Sequence, residues 1–90
     1  LDPQARSAAL LVASARVRLG VELDEAERSL AALAGGPLHD GDPSYEEVHY
    51  WVGACALARG DRAKAREAFR TSLRFNPEYS RAKDALAQIP

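Results

Sequence analysis

EEVHYWVGACALARGDRAKAREAFRTSLRFNPEY, residues 46–79, is the stretch whose reading decides the fold. Gly53 is followed twelve positions on by Ala65, four later by Phe69 and eight after that by Pro77, with a Gly60-Asp61 turn between. The order small, turn, small, aromatic, proline fits a helix–turn–helix unit of about 34 residues. Gly53 and Ala65 let two antiparallel backbones approach closely, and Phe69 fills the space beside them. Pro77 has no amide hydrogen to continue a helix and redirects the chain.

At these residues the stretch resembles a tetratricopeptide repeat. It departs from that family's pattern at His49, where a tryptophan is common, and at Ala56, where a tyrosine is common. Val52 stands for the usual leucine and Ser72 for an alanine. The resemblance therefore rests on the packing residues more than on the aromatic ones.

Outward from this unit, the same spacing recurs once. Ser14, Ala26 and Leu30 each lie 39 positions before Gly53, Ala65 and Phe69. The N-terminal part then reads as a degenerate repeat over about residues 7–40. Against a period of about 34, a 39-residue offset leaves some five extra residues. They fall in Gly35 to Pro43, a run dense in turn formers.

Helix one is expected from Pro3 to Leu19, opened by Asp2-Pro3 and ended by Gly20. Its apolar residues Leu10, Leu11, Val12, Val17 and Leu19 fit a helix better than a strand. Helix two is expected from Glu22 to Leu33, with Ala26, Leu30 and Leu33 inward and Glu22, Glu25, Glu27 and Arg28 outward. Ser44 and Glu47 have capping-box spacing at the start of helix three. Asp61 caps helix four. Asn76-Pro77 opens helix five over 78–88, with Ala82, Ala85, Leu86 and Ile89 on one side. That last helix resembles the capping helix (here about 78–89) that closes many arrays of this family. The expected fold is all-α, five helices in antiparallel hairpins of a solenoid type, forming one domain over residues 1–90.

Composition bounds the function. The net charge of −1 gives no global attraction to nucleic acid or to an anionic membrane. No apolar run approaches the roughly 18 residues of a membrane span. One cysteine, Cys55, makes no internal disulfide framework, so an oxidising compartment is not required and the cytoplasm is favoured. Ten of the twelve basic residues are arginine, a bias that points to a GC-rich bacterial genome. A chain that begins at Leu1 and holds no methionine reads as a piece of a longer protein.

No catalytic constellation, cofactor motif or metal site stands out. His39, Asp40 and Asp42 read as a solvated polar turn. As a calcium loop counted from Asp40 they fail, because Trp51 falls where the bidentate glutamate belongs. His49 and Cys55 are six apart on one helix and should point to different faces, so they make no nucleophile–base pair. Cys55 reads as a small apolar packing residue and His49 as a half-buried one. Arg62, Arg66, Arg70 and Arg74, each four apart, form a basic stripe with Arg59 and Lys64 nearby. It reads as a solvated face whose arginine stems cover alanine-rich packing, an acidic partner being the alternative and nucleic acid the least favoured.

The resemblance implies a concave groove lined by the first helix of each hairpin, where family members bind extended peptides or helices of protein partners. Mapped residue by residue, it would be lined by Leu11, Ala15 and Arg18, then by Glu47, Tyr50, Trp51, Ala54 and Leu57. Arg81, Asp84 and Gln88 would close it. The positions of a carboxylate clamp hold Leu11, Ala15, Trp51, Arg81 and Ala85, of which only Arg81 suits, so no chaperone-type clamp is expected. An apolar, aromatic groove suits an apolar peptide or an amphipathic helix. Trp51 and Tyr50 are the natural anchors, although neighbours on a helix lie about 100° apart and one of the two could be core. The alternative is a structural or oligomerising segment, including a homodimer, whose groove is covered by the parent protein or by a second copy.

Overall fold

The computed structural model describes residues 3–37 and 43–89, and all structural statements concern these. They form five helices and no strand: α1 (Pro3–Leu19), α2 (Leu23–Gly35), α3 (Tyr45–Ala58), α4 (Arg62–Phe75) and α5 (Ser80–Gln88). Asp2, expected to cap α1, lies outside the described residues, as do His39, Asp40 and Asp42.

The α3–α4 hairpin carries the closest packing. A methyl group built on Gly53 would sit 2.6 Å from Cε1 of Phe69, inside any tolerable contact. Phe69 and Ala65 are fully buried against that bare backbone. The hairpin is antiparallel and pinned at its far end. Ser72 Oγ donates to the Glu46 carbonyl at 2.7 Å, and Asn76 Nδ2 donates to the Glu46 carboxylate at 3.2 Å. The Ser72 hydroxyl thus uses the place of the family's alanine for an inter-helix hydrogen bond. Asp61 caps α4 as expected, accepting from the Lys64 amide at 3.0 Å.

Three boundaries differ from the sequence reading. Helix α2 begins at Leu23 and not at Glu22, because Glu22 is in the left-handed region (φ 50°), where its carboxylate pairs with Arg16 at 3.1 Å. It runs on through Gly35 and stops where Gly36 is extended ahead of Pro37. Ser44 is the N-cap of α3 but makes no side-chain capping bond, so the capping box is not formed. Glu47 instead turns toward α1 and α5 and borders the depression between them. Helix α5 begins at Ser80, two residues later than expected. Asn76 Oδ1 accepts from the Glu78 amide at 3.1 Å, and Tyr79 N–H reaches the Asn76 carbonyl at 3.1 Å, a local turn that delays the helix.

Two apolar clusters result. The first joins Leu10, Ala13 and Val17 of α1, Ala26, Leu30 and Leu33 of α2, and Val48, Trp51 and Cys55 of α3. The second joins Ala56, Ala65 and Phe69 to Ala82 and Ile89, so α5 covers the outer side of the α3–α4 hairpin. Half-buried Tyr50 packs against both. Ser14, Ala26 and Leu30 are buried like Gly53, Ala65 and Phe69. Ser14 spends its hydroxyl on the Leu11 carbonyl at 3.0 Å.

An exposed ion-pair network ties the hairpins together at one end. Arg59 bonds to Asp24 and pairs with Glu27 (3.2 Å), and Glu27 also accepts from Lys64 Nζ at 2.8 Å. The partner cations hold the Asp24 and Glu27 carboxyls below their ordinary range, chiefly through these hydrogen bonds. Glu27 is therefore half-buried and engaged sideways, where an outward, solvated glutamate was expected.

Candidate partner-binding groove

Between α1, α3 and α5 lies an open depression of about 230 Å³, bordered by Ser7, Leu10, Leu11, Ser14, Arg18, Glu47, Trp51 and Arg81. Its position follows from the chain order. Helices α1 and α3 each lead a hairpin, and α5 approaches from the far side of α3. Five residues expected in the groove border it: Leu11, Arg18, Glu47, Trp51 and Arg81. Ala15, Tyr50 and Ala54 are half-buried and Leu57 is exposed, all four off its walls; Asp84 and Gln88 of α5 are exposed and also off them. Ser7, Leu10 and Ser14 were not singled out from sequence. Their signal was there: with Leu11 and Arg18 they share one side of α1 at three- and four-residue spacing.

Trp51 is only 9% exposed and belongs to the first apolar cluster. Of the adjacent aromatic pair it is the more deeply buried member, and one edge of it forms part of the floor. Tyr50 meets it edge-on, with ring centroids 5.1 Å apart, and is half-buried. Two guanidinium groups overlie this pair. Arg18 Cζ is 5.9 Å from the Trp51 ring and Arg81 Cζ is 5.7 Å from the Tyr50 ring. Held against aromatic faces, both cations have part of their freedom already removed. The depression thus has an apolar floor, an exposed leucine on one lip and a rim of two arginines and one glutamate. Beside it, burial raises the Tyr79 hydroxyl above its ordinary pKa.

On the opposite side a cleft of about 350 Å³ separates α2 from α3 and the start of α4. His49 and Cys55 both border this wide cleft, but from different faces of α3, as their six-residue spacing implies. They remain unpaired with each other. The His49 ring stacks on Phe75 at 5.5 Å, and Cys55 Sγ points at the Leu23 carbonyl at 3.7 Å. Burial lowers the His49 pKa and raises that of the Cys55 thiol, which disfavours both imidazolium and thiolate. Cys55 is a buried packing residue. Phe75 also stacks on Tyr45 at 5.0 Å, an aromatic group that sequence reading missed because its members come from two helices.

Along α4, Arg62, Arg70 and Arg74 are exposed and Arg66 is half-buried. Arg74 pairs with Glu67 at 3.3 Å, and Arg59 and Lys64 are spent on the network with α2. The stripe is thus partly neutralised from within.

Residues 46–79 match the family model of the tetratricopeptide repeat. This stretch, α3 through the turn after α4, is a tetratricopeptide repeat, and the all-helical architecture around it agrees with a helical repeat protein. Searches of curated proteins and of solved structures gave no match. Repeats of this family serve protein–protein interaction and are generally non-catalytic. Among the described residues no helix is long and apolar enough to cross a membrane, and no three or more His, Cys, Asp or Glu lie together as a metal site.

Proposed function

We propose that this domain is a non-catalytic protein-interaction module that docks a peptide or helix of a partner protein in the depression between α1, α3 and α5. The observation that supports the reading is the joint placement of an apolar floor (Leu10, Trp51), an exposed apolar lip (Leu11) and a charged rim (Arg18, Glu47, Arg81) around one depression, bordered by the first helix of the matched tetratricopeptide repeat. In this reading α1–α2 is a divergent first repeat and α5 a capping helix. Trp51 supplies a rigid floor, and the ligand gains contact area over Leu11 and the arginine-covered aromatic faces. The family's carboxylate clamp has no counterpart, so selectivity comes from shape and from the rim charges. Nucleic acid is not the partner.

A displayed peptide library panned against the domain tests this. Selected peptides should shift the Trp51 indole and the Arg18 and Arg81 side-chain resonances, and Leu11→Asp or Arg81→Glu should abolish their binding. Selected peptides that bind equally well to Leu11→Asp would end the proposal. The second reading, a structural segment whose groove is covered by other parts of its parent or by another copy, draws support from the burial of Trp51 and from the apolar outer side of α1.

A further inference from the structure

Arg16, Arg28, Arg59, Lys64, Arg74 and Lys83 each hold a carboxylate of this chain at 3.6 Å or closer. Arg18 and Arg81 hold none among the described residues, although Glu47 borders the same depression as both. Each lies instead over an aromatic ring, Arg18 on Trp51 and Arg81 on Tyr50, and the two rings are neighbours 5.1 Å apart. A ring face attracts a cation but carries no net charge, so both positive charges stay uncancelled at the rim. Arg81 uses part of its donor capacity on the Tyr79 hydroxyl, while Arg18 makes no hydrogen bond among the described residues. Both side chains are exposed, and half-buried Glu47 is the single carboxylate on the border. The rim therefore presents two cations to one anion above an apolar floor.

We propose, resting on the docking reading above, that the partner segment taken up here is acidic as well as apolar. It sets a leucine-sized side chain on the floor of Leu10 and Trp51, with an aspartate or glutamate beside it toward Arg18 and another toward Arg81. The depression, about 230 Å³, falls short of the roughly 300 Å³ at which small-molecule sites begin, so it takes a side chain of a longer segment. Residues flanking that side chain must then lie at the rim, where the arginines are.

Arg18 comes from α1 and Arg81 from α5, so they meet such a segment from two sides of α3. A guanidinium offers a planar fork of donors that matches a carboxylate, and the aromatic faces hold both forks near their bound positions before the ligand arrives. The apolar contact over Leu11, 66% exposed when free, excludes water beside the new ion pairs and strengthens them. Glu47 opposes a run of phosphates, which disfavours nucleic acid at the same place.

A random displayed peptide library panned against the domain reads the preference directly. Selected sequences should be enriched in Asp or Glu next to Leu, Ile or Phe. End-blocked synthetic copies, which carry no terminal carboxylate, should bind the Arg18→Gln, Arg81→Gln double variant about ten-fold more weakly, at unchanged helix content. Their affinity should fall as salt is raised to about 0.5 M. The charge-reversed variant Arg18→Glu, Arg81→Glu should recover binding when Lys replaces the acidic residues of the peptide. Selected peptides that are neutral or basic yet lose binding on Leu11→Asp would leave docking in place and overturn the acidic preference. Acidic peptides indifferent to both the arginine and the Leu11 variants would overturn the docking reading itself, and this inference with it.

Discussion

At the scale of single residues, Gly53 and His49 show how one atom or one proton enters the stability of the hairpin. Gly53 has no room for a methyl group beside Phe69. Gly53→Ala should therefore lower stability by about 1–3 kcal/mol, because the Phe69 ring or the helix must move. In urea unfolding, the Gly53→Ala and Phe69→Leu changes together should cost less than their separate losses, by at least about 0.5 kcal/mol. Strict additivity would show that the ring is not what Gly53 accommodates. His49 acts through its charge. Burial against Phe75 pulls its pKa below the ordinary 6.5, so just below that pH the unfolded chain binds more protons than the folded one. Stability is then full above about pH 6.5 and declines as the pH falls below it. Replacing His49 by Phe should flatten the thermal midpoint between about pH 7.5 and 5.5. An unchanged slope would place the titration elsewhere.

At the scale of elements, the helices were legible because each has a start or stop that depends on few residues. Asp61 next to a glycine turn is enough to start α4, and Asp61→Ala should cost about 1 kcal/mol in thermal unfolding while Asp61→Asn costs a few tenths. Equal losses for both would mean that the carboxylate's charge matters more than its acceptor. Where several local options compete, legibility fails. Ser44 and Glu47 have capping-box spacing, yet Glu47 faces the depression beside Arg81 and Ser44 makes no side-chain cap. Asn76-Pro77 could open a helix or close a turn, and the Asn76 side chain takes the Glu78 amide and makes it a turn. Glu22 reads as helical by composition but sits at positive φ, in a junction held by Arg16. Contacts between distant segments left no local signal at all: the Asp24–Arg59–Glu27–Lys64 network and the Tyr45–Phe75–His49 stack join residues of different helices. Five of the eleven expected groove residues border the depression, because helical phase places them there, and Tyr50 lies beneath the Arg81 guanidinium without reaching its wall. Ala15, Ala54 and Leu57 miss its walls, since the phase of a whole groove shifts with the inter-helix angle, which spacing does not encode.

At the scale of the molecule, two apolar clusters meet at the adjacent aromatics Tyr50 and Trp51, and the depression lies directly over that junction. In the proposed reading stability and recognition share Trp51, while the exposed lip at Leu11 serves recognition alone. The two roles separate on mutation. Trp51→Ala removes a nearly buried indole from a 90-residue domain and should cost about 3–5 kcal/mol, much of what such a domain has. Leu11→Asp changes a residue that is two-thirds exposed and should move the unfolding midpoint by no more than about 0.5 kcal/mol. Trp51 is the sole tryptophan, so intrinsic fluorescence reports on the junction directly. Its emission should be blue-shifted and poorly quenched by iodide in the free domain, and a bound peptide should alter it only slightly, because little of the indole is left to cover. A red-shifted, freely quenched emission would put the indole in solvent, remove the floor from the depression and break the link between the two clusters on which this account of the fold rests.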